Sequence, residues 1–195
     1  MWLWQKYAES GLLSARHDYD AGGMQLPALL SMACNSYFMA ANPATAAYPF
    51  LTTAAANVIQ AFGNAEQKAH FLPGMFSGRF AGTMALTEPD VGSSLGDLAT
   101  KAKPYNDGTY RLSGQKMYIS GGDQDITENI VHLVLARIEG AVAGVKGISM
   151  FIVPKFLVTD AGDIGARNDA QLAGLLLRAT LCAGNWPKPR YTCSA

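Results

Sequence analysis

Apolar residues in the first 78 positions recur at helical spacing. The run from Leu29 to Ala41 ends at Asn42-Pro43, because proline cannot continue a helix. The run from Thr45 to Phe62 is rich in alanine and nearly uncharged, which predicts a helix buried on most sides. Asn64 and Gln67 have the spacing of a capping box and predict a further helix. We therefore predict an all-α domain over residues 1–78. In the run from Leu29 to Ala41, helical spacing places Leu29, Leu30, Ala33, Tyr37 and Ala40 on one stripe.

The spacing changes after Arg79, where short β-rich runs alternate with turn signals. These runs are Ala81–Leu86, Ala99–Pro104, Tyr110–Leu112, Lys116–Ile119, Ile130–Ile138 and Ile148–Pro154. Asn106-Asp107-Gly108 predicts a hairpin turn, and the nearly unbroken apolar run after Ile130 predicts a central strand. The pattern is typical of an antiparallel all-β domain, a barrel or a sandwich, and we adopt the antiparallel β-barrel for residues 79–169. The fold class is then α+β and multi-domain.

Residues 170–195 do not continue the strand pattern. The stretch from Ala170 to Leu181 favours a helix, and we expect residues 186–191, which contain two prolines, to be disordered. We therefore treat residues 170–195 as a divergent tail.

The charge balance excludes several classes of partner. Lysine and arginine number 15, as do aspartate and glutamate, so no net field favours nucleic acid or an anionic membrane. The three cysteines are far apart without a CxxC pair, and the three histidines lack ligand spacing. We expect neither a disulfide framework nor a metal site, with each histidine a surface or packing residue, and a cytoplasmic location.

The stretch from Phe80 to Gly121 carries the candidate chemistry. A short apolar run suited to a buried strand is stopped by Glu88-Pro89 and followed by Gly92-Ser93-Ser94. Glycine allows a positive φ, and successive backbone N–H groups in such a turn can form an anion-binding concavity for the phosphates of a nucleotide. An ordinary strand-to-loop turn has the same sequence pattern, so the turn alone does not decide between them.

Two motifs in this stretch are specific to a family. The segments Met84-Ala-Leu-Thr-Glu-Pro-Asp-Val-Gly-Ser93 and Gly114-Gln-Lys-Met-Tyr-Ile-Ser120 resemble the two flavin-contacting signatures of the acyl-CoA dehydrogenase family. We call them the first signature (residues 84–93) and the second signature (residues 114–120). Residues 63–73 resemble the helix that precedes them. Residues 127–137, 146–149, 153–157 and 165–169 resemble the branch that contains the methylmercaptopropionyl-CoA dehydrogenase-like enzymes, and the resemblance covers roughly residues 6–169.

The resemblance implies an FAD site in which the first signature passes its backbone along the isoalloxazine ring. The ring contacts would be Met84, Leu86 and Thr87, with the Thr87 hydroxyl bonding the ring edge. Gly92 and Ser93 would lie near the FAD pyrophosphate and the acyl-CoA, and Ser93 would contact the thioester ligand. This assignment agrees with the phosphate-binding interpretation of the same turn.

The second signature departs from the family pattern in two positions. Tyr118, Ile119 and Ser120 stand where the family usually has Trp-Ile-Thr. The replacements keep an aromatic face for the flavin and a hydroxyl donor for N5. Ser94 stands where the first signature is usually followed by aspartate, and that change has no physical explanation here.

The reaction that the resemblance implies is α,β-dehydrogenation of an acyl-CoA thioester to the enoyl-CoA. A base removes the proton α to the carbonyl while a hydride passes from the β carbon to flavin. The resemblance implies that the base is a glutamate in a C-terminal helical bundle, which we expect to be missing here. We therefore assign no catalytic residue and interpret Glu88 as part of the strand-ending turn. The full enzyme would be a dimer or tetramer that passes electrons to an electron-transfer flavoprotein.

Three alternatives remain at the level of sequence. The chain could be a fragment of a dehydrogenase that is inactive alone, a non-catalytic acyl-CoA dehydrogenase-like binding or assembly module, or part of an acyl-CoA oxidase. We also hypothesise that the reading frame shifts near Ala170 or that the coding region is truncated there.

Overall fold

The computed structural model describes residues 2–105, 108–174, 178–182 and 192–193, and a helical layer precedes a β-sheet. The helices are α1 (Trp2–Glu9), α2 (Ala28–Ala41), α3 (Pro43–Phe62) and α4 (Ala65–Phe76). The strands are β1 (Phe80–Ala85), β2 (Lys101–Pro104), β3 (Tyr110–Lys116), β4 (Asn129–Ile138), β5 (Ile148–Pro154), β6 (Phe156–Val158), β7 (Ile164–Arg167), β8 (Ala170–Gly174), β9 (Arg178–Cys182) and β10 (Thr192–Cys193).

The helix boundaries follow local capping chemistry. The Asn42 side chain accepts a hydrogen bond of 3.0 Å from the Thr45 N–H at the start of α3. The predicted capping box of α4 is confirmed, because the Asn64 side chain accepts from the Gln67 N–H at 2.8 Å and the Gln67 side chain accepts from the Asn64 N–H at 2.9 Å. α4 continues through Pro73 to Phe76.

The burial of α2 differs from the expectation. Its apolar stripe is largely exposed, with Leu29 at 82% and Tyr37 at 77% exposure. α3 is buried along one face and half-buried over most of its remaining surface, as expected, although Phe50 and Phe62 are exposed. Apolar spacing reports which residues favour removal from water, but it does not report which neighbour covers them.

The sheet corrects the prediction of an antiparallel barrel. Its strand order is β10-β5-β4-β2-β3-β9-β8, with β1 pairing to β4 off this path, and β6 and β7 form a separate two-stranded sheet. β1 and β2 both run parallel to β4, whereas β2–β3 and β4–β5 are antiparallel. The sheet of the described residues is therefore mixed and open. The spacing of strands along the sequence does not determine whether neighbouring strands pair parallel or antiparallel. The pattern of short runs therefore could not predict a mixed sheet.

The β4 and hairpin predictions are confirmed. β4 pairs with β1 and β2 on one edge and with β5 on the other, as expected for its nearly unbroken apolar sequence. β2 and β3 form an antiparallel hairpin in which Pro104 is opposite Tyr110. Residues 106 and 107 of the expected turn lie outside the described residues, and Gly108 has a left-handed φ of 82°.

The main core lies between α3, α4 and one face of the sheet. Its fully buried side chains are Ala55, Ala56, Ile59, Phe71, Leu72, Met75, Phe80, Val131, Leu133, Ile152 and Val158. α3 approaches β1 closely at Gly82, whose N–H donates a 2.9 Å hydrogen bond to the Thr52 hydroxyl. The opposite face of the sheet buries a second cluster that includes Ala85, Leu112 and Val134.

The tail also differs from the sequence prediction. The stretch expected to be helical contains β8 and β9, which pair antiparallel, and β9 extends the sheet beyond β3. Residues 186–191, predicted to be disordered, lie outside the described residues. Within the described part of the chain, no helix combines the length and apolar character needed to cross a membrane.

Replacing Gly82 with alanine should destabilise the fold by about 1–3 kcal/mol, because the added methyl has no space. Its Cβ would lie 2.7 Å from the Ala55 Cβ and 2.9 Å from the Met75 Cε, forcing α3 away from β1. Urea unfolding of Gly82→Ala and wild-type protein measures the effect. Gly92→Ala is the matched control, because the added Cβ meets nothing within 4 Å and should change stability by less than about 0.5 kcal/mol. Equal stability of both variants would contradict the close helix–strand contact.

Candidate functional site

The two signatures meet where β1 and β3 end. The first signature continues from β1, and the second signature contains the last residues of β3 and the turn after it. The Met117 N–H donates a 2.9 Å hydrogen bond to the Thr87 carbonyl oxygen. Two segments that are separated in sequence by the β2–β3 hairpin are therefore neighbours in space.

A buried ion pair lies directly beside this contact. The Lys116 ammonium is 2.8 Å from the Glu88 carboxylate, and the side chains are 0% and 3% exposed. Lys116 Nζ also donates to the Leu86 carbonyl oxygen at 3.2 Å. The Glu88 carboxylate accepts further hydrogen bonds from the Ala99 N–H at 2.7 Å, from the Thr100 N–H at 3.0 Å and from the Thr100 hydroxyl. Every carboxylate oxygen thus has a donor, as a buried charge requires.

The protonation states follow from these partners. Burial by itself would raise the pKa of Glu88, but hydrogen bonds from Lys116, Thr100 and the Ala99 N–H outweigh it and hold the pKa below its ordinary value. Burial lowers the pKa of Lys116, and the Glu88 carboxylate opposes that effect. Glu88 is therefore a charged residue whose lone pairs are already used, which fits a structural role in the turn. Its own backbone closes that turn with Val91.

The predicted residues of the second signature turn outward after β3. Tyr118 has a φ of 57°, an uncommon left-handed conformation for a residue with a side chain, and it is 65% exposed. Ser120 is also exposed, whereas Ile119 is half-buried and packs against the second apolar cluster. The strand expected over residues 116–119 is absent from these described positions, because β3 ends at Lys116.

The predicted residues of the first signature differ in exposure. The Met84 side chain is half-buried and packs against the main core. Leu86 and Thr87 are half-buried, and Gly92 and Ser93 are exposed. Gly92 is not among the described glycines with positive φ, so the left-handed turn considered for a phosphate site does not form there. No hydrogen bond within the described residues joins Ser93 to the second signature.

A small cavity of about 20 Å³ lies behind the signatures, near Ala85 and Ile119. Its polar lining includes His132, Asp123 and Lys155, and the last two form an ion pair of 2.5 Å. His132 is buried and shares a 2.7 Å hydrogen bond between its Nδ1 and the Thr83 hydroxyl. Burial lowers the pKa of His132 to about 4, so the imidazole is neutral at physiological pH.

Sequence reasoning missed the buried pair and the His132 contact. A signal for Lys116 was present in the sequence. It lies four residues after the buried Leu112 and two after Gly114, so strand alternation places its side chain on the same, inward face. His132 lies inside the apolar run of β4, which also signalled burial. Among the residues that the structure describes, no cluster of three or more His, Cys, Asp or Glu side chains could hold a metal ion.

Comparison with family descriptions identifies both halves of the chain. "Acyl-CoA dehydrogenase, N-terminal domain" matches residues 1–79, and "Acyl-CoA dehydrogenase, middle domain" matches residues 83–175. A 3-methylmercaptopropionyl-CoA dehydrogenase from Ruegeria pomeroyi is 40% identical over 165 residues, which are 85% of this chain and 28% of that protein. A butyryl-CoA dehydrogenase from Syntrophomonas wolfei is 41% identical over 86% of this chain and 27% of its own length. The chain thus spans little more than a quarter of these curated relatives.

Solved structures agree with the sequence relatives. The acyl-CoA dehydrogenase of Bacillus anthracis, crystallised in complex with FAD, superimposes with a TM-score of 0.72 and 26% identity. The match covers 92% of this chain and 30% of the Bacillus protein. A glutaryl-CoA dehydrogenase from Mycobacterium smegmatis matches with a TM-score of 0.68 and 26% identity over 93% of this chain and 44% of its own.

Acidification should destabilise the protein through His132. The unfolded histidine binds a proton near pH 6.5 and the folded one only near pH 4, so stability is lost as the pH falls between these values. The contribution amounts to about 3 kcal/mol when the fall is complete. Urea unfolding of wild-type protein and His132→Gln between pH 4 and 8 measures it, because glutamine does not titrate. Parallel pH curves for the two proteins would contradict the assignment.

Proposed function

The chain belongs to the acyl-CoA dehydrogenase family, and from this premise we propose that it forms the N-terminal and middle parts of an FAD-dependent dehydrogenase. The reaction is the α,β-dehydrogenation of an acyl-CoA thioester to its enoyl-CoA. We assign residues 1–78 to the helical domain, residues 79–169 to the flavin-contacting domain and residues 170–195 to a divergent tail.

The single observation that carries this proposal is the contact between the two signatures. The Thr87–Met117 hydrogen bond brings Thr87 beside the segment that contains Tyr118 and Ser120. A flavin ring needs an aromatic or backbone surface against one face and hydroxyl or amide donors at its edge. The two signatures together contain both kinds of group within one neighbourhood.

The residues present fit FAD chemically. We propose that Met84, Leu86 and Thr87 hold the ring through backbone and hydroxyl groups. The second signature would add the other contacts, from Tyr118, Ile119 and Ser120. The left-handed backbone of Tyr118 supports this assignment, because strained residues with exposed side chains concentrate at binding sites. When bound, FAD supplies the hydride acceptor.

We propose that the exposed corner at Gly92 and Ser93 binds the pyrophosphate of the cofactor and the acyl-CoA substrate. Ser93 is exposed and free to donate its hydroxyl to a thioester ligand. The turn offers no left-handed nest at Gly92, so the side-chain hydroxyl rather than a backbone concavity would make this contact.

The base is proposed to come from a part of the enzyme other than the described residues. Glu88 does not fill this role, because its carboxylate is buried and bonded to Lys116, Thr100 and the Ala99 N–H. A general base needs a free lone pair within reach of the proton it removes. The family resemblance further suggests an electron-transfer flavoprotein as the electron acceptor and a cytoplasmic homo-oligomer as the working form.

The purified 195-residue chain should bind FAD weakly or not at all and show no acyl-CoA turnover, since the base and part of the cofactor site lie elsewhere. Flavin fluorescence titration and anaerobic bleaching by butyryl-CoA test this expectation. Strong bleaching of flavin by the chain alone would overturn it.

A chimera tests whether the signatures themselves form a working flavin surface. Residues 80–121 of this chain replace the matching segment of the Syntrophomonas wolfei relative. We expect the chimera to bind FAD and to bleach with butyryl-CoA. Failure to bind FAD in a chimera that folds would contradict the proposed function.

Within this chimera, Tyr118→Ala should weaken FAD binding roughly 3- to 10-fold, because a ring contact is worth about 1 kcal/mol. Tyr105→Ala is the matched control, since Tyr105 is also exposed but stacks on Arg111 in the hairpin outside both signatures. Flavin fluorescence titration measures both affinities. Equal FAD affinity of the two variants would show that Tyr118 does not contact the flavin.

A further inference from the structure

We propose that the buried Glu88–Lys116 ion pair is a positioning device that fixes the first signature against the second, and so sets the shape of the flavin surface. This inference rests on the proposed function for the identity of the ligand. Both side chains are buried, at 0% and 3% exposure, so we assign them a role that acts through their neighbours.

Three successive residues of the first signature are bonded across to the second. The Leu86 carbonyl accepts from Lys116 Nζ at 3.2 Å, the Thr87 carbonyl from the Met117 N–H at 2.9 Å, and the Glu88 carboxylate from Lys116 Nζ at 2.8 Å. Two of these three bonds use the same ammonium group. Lys116 therefore forms the hydrogen bonds on either side of the Thr87–Met117 bond.

The carboxylate adds a third anchor. Glu88 is also bonded to the backbone N–H groups of Ala99 and Thr100, immediately before β2. β3 passes Thr100 so closely that a Cβ at Gly114 would overlap the threonine side chain. The two signatures and the start of β2 are thus joined through one carboxylate in a region that excludes water.

The attraction between the two charges alone does not account for this arrangement, because a buried ion pair rarely repays its desolvation. Apolar side chains of similar volume would leave the Leu86 carbonyl and the Ala99 and Thr100 N–H groups without these partners, and each unpaired polar group would cost free energy. The pair therefore selects one relative position of the signatures, because any shift breaks charged hydrogen bonds in a low dielectric.

The residues beside the pair are the ones assigned to the flavin. Thr87 directly precedes Glu88, and Met117 and Tyr118 directly follow Lys116. A displacement at the pair is transmitted to these positions through one or two peptide units. The half-buried Thr87 and the exposed Tyr118 would then no longer belong to one surface.

Hydrogen exchange of the Met117 amide tests the proposal without any flavin. In Lys116→Met, in Glu88→Gln and in the double variant, we expect this amide to exchange about 10-fold faster or more than in wild-type protein. Amides of the β4–β5 ladder should change much less. If the two residues act as one device, the double variant should exchange within about 2-fold of the faster single variant. If either single variant fails to fold, the exchange rate of the Met117 amide in the uncharged double variant tests the proposal.

Two controls separate positioning from general loss of stability. Arg79→Met breaks an exposed pair with Glu128, whose side chains are 44% and 51% exposed, and should leave Met117 exchange unchanged. Leu133→Ala destabilises the core and should not accelerate Met117 selectively. Uniform acceleration of all amides in the pair variants, or unchanged protection of Met117, would overturn the proposal.

A second arm uses the flavin-binding chimera described above. We expect Lys116→Met in the chimera to weaken FAD binding about 10-fold. Arg79 lies outside the transplanted residues 80–121, so Arg79→Met is measured in the full chain, where the exchange rate of the Met117 amide should not change. Loss of Met117 protection together with unchanged FAD affinity of the chimera would show that the pair joins the signatures without setting the shape of the flavin surface, and would overturn that part of the proposal. The proposed function is tested separately, by FAD binding of the chimera that carries no further substitution. Retained protection would overturn the positioning role whatever the flavin affinity.

Discussion

One ammonium group and one carboxylate, both removed from water, lie where β1, β2 and β3 converge. Their charges persist there because Lys116 bonds Glu88 and the Leu86 carbonyl, while Glu88 accepts from the Ala99 and Thr100 N–H groups. The candidate flavin surface is assembled around this pair. Thr87 directly precedes Glu88 and Tyr118 lies two residues after Lys116, so both are placed by residues that cannot move independently.

The direction of the strands explains why the two signatures can meet at all. β1 ends opposite Val134 of β4, and β2 pairs further along the same edge, at Arg137. β3 runs antiparallel to β2, so it returns toward the end of β1. The carboxyl ends of β1 and β3 therefore approach each other from opposite directions. The mixed sheet, which the strand pattern did not predict, is thus a condition for the site.

Local signals in the sequence predicted the fold better than long-range ones. The Asn64–Gln67 cap, the β2–β3 hairpin and the central β4 could be predicted because each depends on residues within one turn or strand. The barrel and the buried stripe of α2 could not, because pairing direction and the covering neighbour are set elsewhere in the chain. The signatures were located by family resemblance, whereas the Glu88–Lys116 pair that joins them required the three-dimensional arrangement.

Hydrogen exchange of the chimera, measured with and without FAD, tests most directly whether both signatures form one flavin surface, because the isolated chain is expected to bind FAD weakly or not at all. The account predicts that FAD slows amide exchange at Leu86, Thr87 and Met117–Ser120, with the exposed strand residues Lys103 and Arg111 unaffected. Protection centred on the β2–β3 hairpin, or confined to one signature, would contradict it.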